Sequence, residues 1–114
     1  MKINILKSKI HRATVTDANL DYVGSLTLDV NLMRLARLNE YESVHVLNVT
    51  NGNRLETYII AGKDGEVCIN GAAAHLVSLG DLVIIAAYGL IDQLEIKSFK
   101  PAIVLVDSNN KPTK

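Results

Sequence analysis

Leu32-Met33-Arg34-Leu35-Ala36-Arg37-Leu38, followed by Ser43-Val44-His45-Val46-Leu47-Asn48-Val49, is the stretch that decides the fold. Its first part repeats leucine and alanine at helical spacing, with Asp29 or Asn31 placed to cap. Its second part is rich in β-branched residues and reads as a strand. The pattern returns about 40 residues later as Ala72–Leu79 followed by Val83–Ala87, a spacing seen in repeated supersecondary units. Two copies are too few for a solenoid. They fit a pseudo-twofold β-barrel with two short helices.

Outward from this repeat the chain reads as short strands. Ile3–Leu6, Lys9–Thr16, Ser25–Asp29, Arg54–Ala61, Glu66–Ile69 and Ala102–Val106 are strand candidates. Asp17-Ala18-Asn19 reads as a turn. Asn51-Gly52 is the strongest hairpin signal in the chain. Gly80 closes the second helix, which Asn70 is placed to cap. Residues 108–114 are polar and expected as a flexible tail on a single domain.

Composition narrows the function. The chain has 114 residues, 48% of them hydrophobic, and twelve basic residues balance twelve acidic ones. That balance lacks the cationic excess of a nucleic-acid binder, and without Trp and with one Phe stacking platforms are scarce. Cys68 is the only cysteine, so neither an internal disulfide nor a cysteine-rich zinc site is available. His11, His45 and His75 have no metal-ligand spacing, and no metal is expected. The apolar run Leu82–Ile91 falls short of the ~20 residues a membrane span needs. The expected setting is cytoplasmic, without membrane contact. So apolar a small chain is expected to bury surface between subunits.

Four small constellations could carry chemistry. In Tyr22-Val23-Gly24-Ser25 a serine hydroxyl lies beside its own preceding carbonyl, which it can attack if the oxyanion is stabilised. The plainer reading is a turn entering a strand. Lys9 and His11 share a strand face and could hold a carboxylate, or simply face solvent. Arg54, Glu56 and Tyr58 share another face. Arg54 offers a two-pronged carboxylate clamp and Tyr58 a proton donor, although Glu56 could merely neutralise Arg54. Asn70-Gly71-Ala72-Ala73-Ala74-His75 leaves backbone N–H groups open, or is an ordinary capped helix. Cys68 reads as a small core residue, His45 as a satisfied structural one, and His75 as exposed.

Taken together, these segments resemble the bacterial aspartate 1-decarboxylase family, the pyruvoyl-dependent enzymes that make β-alanine. The resemblance rests on Lys9-Ile10-His11-Arg12-Ala13, Asp17–Ser25, Asn48–Arg54, Thr57-Tyr58, Asn70–Ala74 and Gly80–Ile85, in register from Leu6 to Val106. It implies a mainly β fold, a double-psi β-barrel with short helices. It implies a cytoplasmic homotetramer with active sites at subunit interfaces, and leaves room for a maturation factor. It also implies a zymogen that cuts itself between Gly24 and Ser25 into residues 1–24 and 25–114. Ser25 Oγ would attack the Gly24 carbonyl, with Thr57 stabilising the oxyanion and His11 and Tyr22 shaping the cleavage region. The resulting ester would eliminate and hydrolyse, leaving Ser25 as an N-terminal pyruvoyl cofactor.

By the same resemblance, that group would form a Schiff base with L-aspartate and accept electrons as CO₂ leaves. Tyr58 would then reprotonate the carbon, and β-alanine would leave for pantothenate synthesis. Lys9 and Arg54 would hold a substrate carboxylate. Thr57, Asn70, Gly71, Ala72 and Ala73 would line the site. Two departures stand out. Leu55 and Glu56 replace the Phe and Ser of many members, which puts an extra carboxylate near Arg54, and Leu47 replaces an aromatic found in some. Strand alternation also sets Thr57 and Tyr58 on opposite faces. The alternatives are a non-catalytic double-psi barrel binding module that never cuts itself, and a decarboxylase for another amino acid.

Overall fold

Asn51-Gly52 turns the chain between two antiparallel strands, β4 (Ser43–Asn48) and β5 (Arg54–Gly62), with His45 opposite Glu56 and Leu47 opposite Arg54. Gly52 adopts φ +81°, a conformation that favours glycine. This computed structural model describes residues 1–22 and 25–113.

Before the hairpin come β1 (Lys2–Thr14), β2 (Asp17–Asn19), β3 (Ser25–Asp29) and helix α1 (Val30–Leu35). After it come β6 (Val67–Asn70), a 3₁₀ segment (Gly71–Leu76), β7 (Leu82–Asp92), a second 3₁₀ segment (Gln93–Ser98), β8 (Ala102–Val106) and β9 (Pro112–Thr113). The class is mainly β with short helices, as expected. β1 is one strand where two were read; register shifts after Leu6 and Ile10 bend it, and Arg12 sits in the second with φ +63°. Asp17-Ala18-Asn19 is not a turn. It pairs in parallel with β6, because an available partner strand overrides the local preference of a polar triplet. The second helix is shorter than Ala72–Leu79 and is 3₁₀. Asn70 makes no capping bond, because its side chain is bonded to Thr27 instead.

The strands join in the order β2-β6-β3-β5-β4-β7-β1-β8-β9. Three neighbouring pairs are parallel (β1 with β8, β2 with β6, β3 with β5) and the others antiparallel, with β5, β4, β7 and β1 forming a continuous antiparallel run. Only Val15 and Thr16 separate β1 from β2, although the two lie at distant positions in that order. Two residues reach about 7 Å, so the sheet must curl round to bring them together. Ile10, Leu26, Leu28, Val44, Val46, Ile59, Val83 and Ile85 point inward and form a fully buried core. The alternate residues point outward. β5 bridges the two halves: its first part pairs with β4 and its second with β3.

Two polar side chains hold the ends of these elements. Asp29 caps α1, accepting from the Asn31 N–H, and its other oxygen accepts from the Gly65 N–H at 2.7 Å. Asn110 is 1% exposed and ties residues 108–113 to the body. It accepts from the Thr14 N–H at 2.7 Å and donates to the carbonyls of Thr14 and Gly65. The segment expected as a flexible tail thus carries a buried anchor, and β9 pairs with β8 beyond it; Lys114 lies outside the described residues. Asn110→Ala leaves three backbone groups without this partner. It is expected to lower stability by about 3 kcal/mol in denaturant unfolding. A loss under about 0.5 kcal/mol, the level of an ordinary surface change, would show that the anchor does not matter.

Candidate active site

Ser25 opens β3 and is 2% exposed. On one side it pairs with Asn70 of β6. On the other, the parallel ladder runs Leu26 opposite Ile59, so Ser25 lies level with Tyr58 of β5. Leu26 and Ile59 point into the core, so Tyr58, Ser25 and Asn70 form a row on the opposite face. Neighbouring strands are about 4.8 Å apart, which sets the spacing of that row.

The row is held firmly at one end. The Asn70 amide donates to Thr27 Oγ1 at 2.9 Å, and its oxygen accepts from the Cys68 thiol at 3.1 Å. Burial, with Asp17 and Glu66 nearby, pushes the Cys68 thiol up from its ordinary value. Cys68 is therefore a protonated structural donor and not a nucleophile. Gly71 follows with φ +65°, where a side chain would be strained, and the small Ala72 and Ala73 continue the 3₁₀ segment. Tyr22 is exposed in the turn before β3. Gly24, the other half of the expected cleavage pair, lies outside the described residues.

Arg54, Glu56 and Tyr58 share the outer face of β5, as alternation predicts. Arg54 and Glu56 do not pair among the described residues. Glu56 turns instead to His45 across the hairpin, with Oε1 3.4 Å from Nε2. The His45 ring also meets Tyr88 edge-on, centroids 5.1 Å apart. His45, Arg54, Leu55 and Glu56 line an open groove of about 380 Å³. His45, read as a satisfied structural histidine, has these two partners on the outer face of β4. The register was not legible in advance: counting back equally from Asn51-Gly52 pairs residue 45 with residue 58, whereas the observed partner is residue 56.

Thr57 is half-buried on the other face of β5, with Leu55 and Ile59. β5 is regular here, so no strand irregularity brings Thr57 and Tyr58 together. Lys9 lies on the outer face of β1, in the cross-sheet row Glu56, His45, Ala86, Lys9. Three strand spacings, roughly 14 Å along the sheet, separate it from β5. His11 sits farther along β1, in the register shift that ends at Ala13. Its Nδ1 is buried without a hydrogen-bond partner among the described residues. Burial, then Lys9 and Arg12, push this imidazole below its ordinary value, which favours the neutral ring. One chain therefore gathers Ser25, Tyr58, Asn70 and Gly71–Ala73, with Arg54 one row of side chains beyond Glu56. It leaves Lys9 and His11 across the sheet. Between them on the outer face, Leu47 and Ile84 are half-buried, and beyond β1, on β8, Ile103 and Leu105 are exposed.

Among the described residues, no three His, Cys, Asp or Glu side chains cluster to hold a metal ion, and no helix is long and apolar enough to cross a membrane. The family model for aspartate decarboxylase matches residues 1–113. An aspartate 1-decarboxylase of Acetivibrio thermocellus is 57% identical over 97% of this chain and 90% of its own length. One from Campylobacter curvus is 55% identical over 100% and 99%. One from Helicobacter pylori is 54% identical over 97% and 96%.

Proposed function

This chain belongs to the aspartate decarboxylase family and is a carbon–carbon lyase that decarboxylates aspartate, and we propose that it does so on a pyruvoyl group made from its own Ser25. The product is β-alanine, destined for pantothenate in the cytoplasm. The observation that carries the reading is the row Tyr58, Ser25, Asn70 across three neighbouring strands.

The residues around position 25 suit such a group. It is small and uncharged, so it can occupy a site as buried as Ser25 without an ionic partner. Asn70, fixed by Thr27 and Cys68, stands beside it. The protonated Cys68 does not compete as a nucleophile. Bound there, the group would supply an electron sink for the carbon that loses CO₂.

The other side chains bind, orient and move a proton. Arg54 grips a substrate carboxylate with its planar fork. Tyr58, level with Ser25 on the next strand, donates its phenolic proton to the carbon that has lost CO₂. Gly71, Ala72 and Ala73 leave room for the substrate beside Asn70. In the precursor, Ser25 Oγ attacks the Gly24 carbonyl, and the ester so formed eliminates to release residues 1–24. His11 and Tyr22 serve that step, whereas Thr57, on the face of β5 opposite Ser25, is not placed to reach it within one chain.

Lys9 and His11 reach a site only from another copy of the chain, given their separation from β5. A homotetramer that covers Leu47, Ile84, Ile103 and Leu105 would bring them in and remove an exposed apolar surface from water. An intact denaturing mass spectrum tests the reading. Residues 1–24 and 25–114 should appear as two species, the larger lacking ammonia relative to simple hydrolysis. A single uncut chain without aspartate decarboxylase activity, even with cell extract added to supply a maturation factor, would favour the binding module.

A further inference from the structure

Glu56 places a second carboxylate beside a group that binds carboxylates. On the outer face of β5 it follows Arg54 by two residues, about 7 Å along the strand. Both line the same 380 Å³ groove. A flexible glutamate at this range can fold onto the guanidinium and occupy the fork that a substrate carboxylate needs. In this structure it is held elsewhere, against His45 Nε2 at 3.4 Å. His45 is itself held in place, because its ring packs edge-on against Tyr88 and its strand is fixed by the hairpin.

We infer that His45 is a positioning residue that keeps Glu56 off Arg54 and so leaves Arg54 free for substrate. The inference rests on the assignment of Arg54 to substrate binding given above. His45 touches no reacting atom. It acts on affinity, through Glu56, and not on the chemical step. Aspartate carries the carboxylate that competes with Glu56, so the effect falls on KM.

The test is a mutant cycle on the mature enzyme, with KM and kcat for L-aspartate measured separately. His45→Phe keeps the ring packing against Tyr88 and removes the partner of Glu56. It should raise KM about threefold to fivefold, the scale of one exposed ion pair, and leave kcat within about twofold. Adding Glu56→Gln should return KM to the wild-type value, because the competitor is gone. An unchanged KM in His45→Phe overturns the inference. So does a double variant whose KM stays as high as that of the single, which would mean that His45 acts on the groove directly. Arg54→Gln separates the two levels of argument. It should raise KM at least about tenfold, the loss of a charge-assisted hydrogen bond. If it leaves KM unchanged, the assignment of Arg54 falls and this inference falls with it. If it raises KM while His45→Phe does not, the inference alone fails.

Discussion

Ser25→Ala is expected to leave the chain uncut at position 24 and without measurable aspartate decarboxylation. The hydroxyl oxygen is the atom that begins cleavage and the precursor of the reactive carbonyl, and alanine supplies neither. The side chain is small, and its loss removes one oxygen from a buried position in β3, so the fold should survive. Circular dichroism and the assembly state should match the wild type. Mass spectrometry and a CO₂-release assay read the two consequences together. Turnover of aspartate by the uncut variant would remove Ser25 from the chemistry altogether.

Tyr58→Phe is expected to lower kcat by about 10²- to 10⁴-fold, the usual worth of a positioned proton donor. Cleavage should proceed, and KM should stay within a few-fold of wild type. The ring remains on the outer face of β5, so packing changes little. Only the phenolic proton is lost from the row that also holds Ser25 and Asn70. A kcat within about threefold of wild type would assign the proton to another donor, with the exposed Tyr22 the next to test.

These expectations depend on how far local sequence reports tertiary position. Ser25–Asp29 was legible in both extent and type. It alternates cleanly, and Asp29 caps the helix that follows, a signal contained in three residues. Asn51-Gly52 was legible for the same reason. Asp17–Asn19 was not. Its strand character comes from β6, some fifty residues away, and nothing local to a polar triplet announces that partner. Asn110 was hidden likewise. A polar tail sequence gives no sign that one amide will be buried against Thr14 and Gly65. The residues of the site came from the resemblance and not from local pattern, which left each constellation with a plainer reading. Their arrangement came from neither. That Tyr58 lies level with Ser25 depends on parallel pairing between β3 and β5, and the separation of Lys9 from Arg54 depends on two strands lying between β1 and β5.

β1 lies between β7 and β8, and β2 pairs with β6 at the sheet edge, so both strands before position 25 are hydrogen-bonded into the sheet. A backbone break at Gly24-Ser25 would therefore turn the molecule into a split protein, with the short piece retained by some of the same ladders that built the sheet. Gel filtration would not see the break, and only denaturation would separate the pieces. Fragment complementation follows: residues 1–24 made as a free peptide should add to a separately produced 25–114 chain as strands added to a sheet. The association constant would then give a direct thermodynamic measure of what β1 and β2 contribute to the fold.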